Sequence, residues 1–359
     1  MLSYFEARTR IIGLIAIGAS GAAFLLRLAG AAGVPTFVAS AIGLAGLAAL
    51  VGEGTEQLAH RLGPKATGVL QSALGNLPEF FIGIFALRAG LLDVVRAALV
   101  GSILANTLLV LGLAFVAGGL RHGTQKFGTD QTKLMSTLLV LAAAAIAIPT
   151  IATSPGGPAH GHETELSVFV SIILLAVFAA SVPFAIGKGS AVGPTEDATE
   201  KASWPLRLAV ATLLVAGIGA AFVSDWFVEA LKPAMSSLGM SETFAGLVVV
   251  AIAGNAVENV VGIQAMLADK ADLAISVILN SSLQVALALV PVLVLASLVM
   301  GGPTLTLVVS PLLVAALSLT AVLAAVVVID GESTWLEGVA LIGLYAILAA
   351  SVWWGQPIA

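Results

Sequence analysis

The chain has 359 residues, of which 59% are hydrophobic and only 10% charged, against about 25% charged in ordinary soluble domains. A mean hydropathy of +1.09 requires most side chains to face lipid or a protein interior within lipid, which excludes a string of soluble domains. The apolar runs are continuous rather than alternating, which excludes a β-barrel. The net charge of −5 comes without any basic patch, so nucleic acid is not a partner; the absence of cysteine removes disulfides, thiolate catalysis and cysteine-ligated metals.

Windows of about 20 apolar residues predict eleven transmembrane helices, at 11–28, 34–58, 66–88, 94–118, 132–152, 165–187, 206–230, 243–267, 273–299, 304–329 and 334–354. Arg8 and Arg10 precede the first apolar run as they would in a signal peptide. No A-x-A-like cleavage site leads into a soluble domain, so residues 1–33 read as a retained N-terminal helix. The one sizeable polar linker, 188–205, carries Glu196, Asp197 and Glu200. With a cytoplasmic N-terminus, Arg8, Arg10, Arg61, Lys65, Arg121, Lys126, Lys133, Lys188, Lys201, Arg207 and Lys270 fall inside. Only Arg27, Arg88, Arg96 and Lys232 fall outside, so the positive-inside rule predicts N-in, C-out and a cytosolic linker.

Two polar strings interrupt this background, Gly75-Asn76-Leu77-Pro78-Glu79 and Gly254-Asn255-Ala256-Val257-Glu258. Each puts a glutamate near the middle of a span, where a carboxylate costs about 2.5 kcal/mol or more unless something offsets it. Aligned without a gap, 75–104 and 254–283 share ten of thirty residues, among them Asn76/Asn255, Glu79/Glu258, Gly83/Gly262, Asp93/Asp272 and Ser102/Ser281. Setting the first helix aside leaves five spans per repeat, 34–187 and 206–359. An odd number makes the second repeat enter the membrane from the other side. The predicted fold is therefore an all-α polytopic membrane protein with one extra N-terminal helix and two inverted five-helix repeats, with a site at the midplane between them.

Glycine and asparagine are poor helix formers and Pro78 removes a backbone donor, so the helices should loosen near 75–78 and 254–257. Freed carbonyls, amide oxygens and carboxylates from two such breaks make an all-oxygen cage; hard cations prefer that set, and calcium tolerates its irregularity better than magnesium. Asn106 and Gln284, amides in lipid that need partners, are candidate cage residues. Ser102 and Ser281 either complete the cage or bond a carbonyl one turn back in their own helices. Gly83 and Gly262 read as helix-packing residues, and Asp93 and Asp272 as helix caps. Glu53 and Glu56 share a face near the cytoplasmic end of span 2; guidance of cations or protons and simple interfacial solvation both remain open there. Asp225 and Glu229, near the outer end of span 7, are equally open. His60, His122, His160 and His162 fall in loops or at helix ends. A solvated loop is favoured over weak metal binding for His160-Gly161-His162.

At these strings the chain resembles the calcium/cation antiporter superfamily, in its calcium/proton exchanger branch, over spans 2–11. The resemblance rests on GNLPEFFIGIFALRAG from Gly75 and GNAVENVVGIQ from Gly254, with ELSVFVSIILLA around Glu165 as lesser support. It implies that Glu79 and Glu258 bind both cation and exchanged protons, with ligands or supporting groups at Asn76, Asn255, Ser102, Ser281 and Gln284. It also implies that the acidic linker is a cytosolic regulatory segment. Two departures stand out: Asn259 replaces a common histidine, and Asn280 replaces the usual glycine before Ser281.

The expected activity is exchange of Ca2+, with other divalent cations open, for H+ by alternating access, with spans 2 and 7 as sliding gates. The membrane is expected to be a prokaryotic plasma membrane. No prosthetic group is expected, Ca2+ being cargo; the lipid bilayer is the surrounding partner, and homo-oligomerisation stays open. A Na+- or K+-coupled exchanger of the same fold is the alternative. An intramembrane enzyme using the glutamates as acid and base lacks the accompanying HExxH, GxGD or serine–histidine residues.

Overall fold

The computed structural model describes residues 7–31, 33–62, 74–187 and 204–354. Residues 63–73, the first part of the third predicted span, and 188–203, the bulk of the acidic linker, lie outside the described residues. Helices α1 (Ala7–Leu28), α2 (Val34–Leu62) and α3 (Leu77–Arg88) come first. They are followed by α4 (Leu92–His122), α5 (Thr129–Ala152) and α6 (Glu163–Gly187). After the linker come α7 (Leu206–Leu238), α8 (Glu242–Gly254) and α9 (Ala256–Leu267). The chain closes with α10 (Ala271–Val299), α11 (Pro311–Val327) and α12 (Trp335–Trp353). Two-residue strands β1 (Gln125–Lys126) and β2 (Glu332–Ser333) pair antiparallel between helices.

Among the described residues eight helices are long and apolar enough to cross a membrane, or nine if α8 and α9, bent by 61° at their junction, form one span. The chain is thus an all-helical, multi-pass membrane protein. The predicted span 304–329 is shorter than expected: residues 303–309 are non-helical and α11 starts at Pro311. Gly301, Gly302 and Pro303 end the preceding helix, and Ser310 caps the next by accepting from the Leu313 N–H. The intervening backbone is satisfied by side chains. Ser167 Oγ accepts from Leu307 N (2.9 Å), Ser297 Oγ from Leu305 N (2.9 Å) and Thr150 Oγ1 from Val309 N (3.0 Å). Irregular backbone at this depth is tolerated only when so buried and paired.

Lipid offers no hydrophobic force to drive helices together, so close packing of small residues does that work. A Cβ on Gly101 of α4 would lie 2.4 Å from the Leu247 carbonyl oxygen of α8, and one on Gly246 of α8 2.4 Å from that of Val94. The two backbones therefore cross in direct contact. Gly112 of α4 and Gly338 of α12 meet in the same way. Helix α1 packs on α2, with Gly43 and Gly46 against Ser20 and Ala16, and leaves Leu14, Ile17 and Leu25 exposed. Helices α2 and α7 lie together, with Phe37 stacked on Phe227 at 4.8 Å. These contacts set α4, α8 and α10 in the interior, around the two polar strings.

Candidate cation-binding site

Both polar strings interrupt their helices. The chain turns at Gly75–Asn76 before α3 and again at Asn255 between α8 and α9. Asn76 (φ −98°, ψ 20°) and Asn255 (φ −91°, ψ 20°) adopt nearly the same conformation at repeat-equivalent positions. Neither side chain caps the helix that follows. Each helix instead restarts through the asparagine carbonyl, which accepts from Phe80 N (2.9 Å) or Asn259 N (3.1 Å). Pro78 sits within the first turn of α3, where its missing N–H costs nothing. The amides are thereby left for other partners.

Those partners come from the opposite half of the chain. Asn76 Nδ2 donates to Gln284 Oε1 at 3.1 Å. Asn106 Nδ2 donates to Asn255 Oδ1 at 2.9 Å and Ser281 Oγ at 3.0 Å. Asn255 Nδ2 donates within its own half, to the Ala251 carbonyl at 2.8 Å, which also accepts from Asn255 N at 3.1 Å. Ser102 Oγ donates to Glu79 Oε1 at 2.8 Å rather than to its own helix, which settles its geometry in favour of the cluster. Ser281 is drawn in by Asn106, whereas its neighbour Ser282 bonds the Ile278 carbonyl one turn back. Three hydrogen-bonded groups thus form around the two breaks: Asn76 with Gln284, Ser102 with Glu79, and Asn106 with Asn255 and Ser281.

Glu79 lies against the second string itself: a Cβ on Gly254 would stand 2.6 Å from Glu79 Cγ and 3.1 Å from Oε1. Glu258 lies within electrostatic reach of Glu79. Glu258 is half-buried. Among the described residues neither glutamate has a lysine, arginine or histidine partner. Glu79 Oε2 and Asn106 Oδ1 are buried oxygens with no hydrogen-bond partner, as is Asn259 Oδ1 one residue past Glu258. Buried acceptors are almost always satisfied, so acceptors without donors describe a place suited to a cation or proton. Among the described residues no three His, Cys, Asp or Glu side chains converge. The carboxylate, amide and hydroxyl oxygens gathered here are of the kind a hard cation prefers.

The helices carrying these groups depart from α geometry. Residues Ala105–Val110 of α4, Val285–Leu289 of α10 and Ala245–Val250 of α8 are π-helical. The first holds Asn106 and the second directly follows Gln284. The wider turn re-aims side chains and is common at functional sites. Neither these stretches nor the seat of Glu79 on Gly254 has a signature in residue type that would foretell it.

Other expected residues fall elsewhere. Glu53, half-buried, and Glu56, exposed, stay on α2, which packs beside the α8–α9 junction. Gly83 and Gly262 are packing positions, their missing Cβ atoms facing Leu293 and Ile278. The capping role expected of Asp93 and Asp272 is corrected: both lie in first turns and neither caps. Asp93 pairs with Arg96 at 2.8 Å, and Asp272 Oδ1 accepts from Gly128 N at 2.6 Å. Other partners win, one a turn along the helix and one distant in sequence, because the residues just before each helix, Leu91 and Lys270, occupy the cap positions. Glu229 pairs with Arg27 at 2.7 Å. In the 160–165 loop, His160 Nδ1 bonds the Thr153 carbonyl (3.1 Å) and His162 lies 3.9 Å from Glu165.

This architecture has known counterparts. The sodium/calcium exchanger protein family model matches residues 32–187 and 208–354, beginning just after α1. The Ca(2+)/H(+) antiporter of Synechocystis sp. is 35% identical over 337 residues, covering 87% of this chain and 89% of its own. The Ca(2+)/H(+) antiporter ChaA of Bacillus subtilis is 33% identical over 319 residues, 87% of this chain and 90% of its own. The solved structure of native YfkE superposes with a TM-score of 0.83 at 29% identity, covering 95% of this chain and 99% of that one. The H+/Ca2+ exchanger CAX, at 16% identity, shares the fold with a TM-score of 0.75 over 96% of this chain and 91% of its own. With nearly the whole length matched on both sides, this chain belongs to the sodium/calcium exchanger protein family, in the branch that holds the Ca2+/H+ antiporters.

Proposed function

We propose that this protein is a secondary transporter that exchanges Ca2+ for H+ by alternating access at a site built around Glu79 and Glu258. The observation that carries this reading is the polar cluster at the two helix breaks. Glu79 sits against Ser102 and the second string with Glu258 within electrostatic reach, neither carboxylate has a cationic partner among the described residues, and there Glu79 Oε2 and Asn106 Oδ1 lack any donor. Asn76, Asn255, Ser102, Ser281, Gln284 and Asn106 hold or align the ligands. The names of the bacterial relatives support calcium and protons as the exchanged ions.

Charge arithmetic makes such a site an exchanger. Both glutamates ionised and empty place two negative charges in a low-dielectric region, at a desolvation cost of several kcal/mol. One Ca2+ or two protons returns the pair to about neutral. A neutral site can be exposed to either side in turn, whereas the empty, doubly charged site resists the change. Coupling follows because the same oxygens serve both ions.

The matched backbone of Asn76 and Asn255, and the matched π stretches of α4 and α10, support two inverted five-helix repeats within eleven spans. The site then lies near the bilayer midplane, with the N-terminus and acidic linker cytosolic and the C-terminus outside. In this reading α2 and α7 are the moving gates, with Glu53 and Glu56 at the cytosolic approach, and a prokaryotic plasma membrane is the setting.

The test is ion-gradient driving in proteoliposomes. A pH gradient at constant sodium and potassium should drive 45Ca2+ uptake, and a sodium or potassium gradient at constant pH should not. Uptake that follows the sodium gradient and ignores pH would overturn proton coupling.

A further inference from the structure

A cleft of about 1030 Å3 opens between α3 and α7, reaching Leu74 and Leu77 beside the first polar string but lined by none of the site's polar side chains among the described residues. Its walls are apolar: Phe81 and Phe85 on α3 face Leu214 and Ile218 on α7. Leu214 and Ile218 are largely exposed, so in a membrane this space belongs to lipid rather than to water. Among the described residues charged side chains line it only at one end, where α1, α3 and α7 meet. Arg27 and Glu229 pair with each other there. Arg88 and Asp225 line the same mouth, and among the described residues neither has an ion-pair or hydrogen-bond partner. Asp225 is moreover half-buried beside apolar wall, where an unpaired carboxylate is costly.

We propose that this cleft is a binding site for one bilayer phospholipid with a zwitterionic amine headgroup, of the phosphatidylethanolamine class. Its phosphate meets Arg88, a group suited to phosphate recognition, and its ammonium donates to Asp225. An acyl chain runs down the groove between Phe81, Phe85 and Ile218. From Leu77 to Arg88 helix α3 rises about 16 Å, roughly half the ~30 Å hydrocarbon core, so a chain entering at the charged mouth reaches bilayer depth. With phosphate and amine two carbons apart, one headgroup offers a complementary charge to each of these side chains. An anionic lipid would leave Asp225 without a counter-charge. A choline headgroup keeps the charge but has no N–H to donate.

Native mass spectrometry of the purified, delipidated full chain tests this by titration with phosphatidylethanolamine, phosphatidylcholine or phosphatidylglycerol of the same acyl chains. One phosphatidylethanolamine should be retained, about tenfold more tightly than either competitor, and Arg88→Gln or Asp225→Asn should each erase about tenfold of that retention. Gly217→Phe should abolish it with both charges intact, because Gly217 lines the cleft and a side chain there meets open space. Equal retention of all three lipids, or wild-type retention in the Arg88→Gln/Asp225→Asn double variant, would overturn the proposal. Arg88 is exposed, so Arg88→Gln keeps the test available if Gly217→Phe fails to fold. Lipid retention is read without ion flux, so its outcome is separable from that of the exchange experiment.

Discussion

Gly254→Ala is a one-carbon change aimed at the seat of Glu79. The added Cβ would stand 2.6 Å from Glu79 Cγ and 3.3 Å from Cδ, whereas carbon atoms rest about 3.5–4.0 Å apart. Glu79 must retreat by about 1 Å. That displacement takes its Oε1 beyond bonding distance of Ser102 Oγ, now at 2.8 Å. A hydrogen bond to a charged group is worth about 1.5–3 kcal/mol, so calcium should bind about tenfold to a hundredfold more weakly. Titration calorimetry of the purified protein at fixed pH measures this, and 45Ca2+ flux should show a raised KM. Gly43→Ala is the control: its Cβ would clash with Ser20 Oγ at 2.6 Å on the α1–α2 seam. Such overpacking costs about 1–3 kcal/mol and should lower Tm without changing calcium affinity. Wild-type calcium affinity in Gly254→Ala, in protein that melts like the wild type, would refute the close approach of the second string to Glu79.

Ser102→Ala removes the donor to the buried Glu79 Oε1 and should weaken calcium binding about tenfold or more by calorimetry. Ser167→Ala leaves Leu307 N without its acceptor; a loss of about 1–3 kcal/mol of stability should appear as a lower Tm with calcium affinity unchanged. Protons and calcium compete for two carboxylates, so apparent calcium affinity should fall as pH falls, by up to about a hundredfold per unit where both glutamates take up protons. Glu258→Gln should reduce that slope to at most about tenfold per unit, read from calcium titrations at several pH values.

Much of this was legible because a glutamate and an asparagine in lipid are expensive and conspicuous. The strings at Gly75 and Gly254 announced both helix breaks, and the breaks occur at Gly75–Asn76 and Asn255. The polar residues one helix further on, Ser102, Asn106, Ser281 and Gln284, announced themselves by the same cost. What composition cannot carry is tertiary pairing. Asp272 has the sequence position of a cap, yet the distant Gly128 amide claims it. Residues 303–309 have the hydropathy of a span, yet flanking glycines and prolines break the helix, and hydroxyls from α5, α6 and α10 take its place as partners. The π turns around Asn106 and after Gln284 have no residue signature, because a register change in a helix is set by what the side chains must reach.

The central claim is that Glu79 and Glu258 form one site used in turn by calcium and protons. Uptake of 45Ca2+ into proteoliposomes under an imposed pH gradient tests it most directly, with wild type, Glu79→Gln, Glu258→Gln and the double variant compared at equal reconstitution. The account predicts gradient-dependent uptake in the wild type and none in any of the three variants, each of which fractionates as folded protein. Full uptake by the double variant would contradict it.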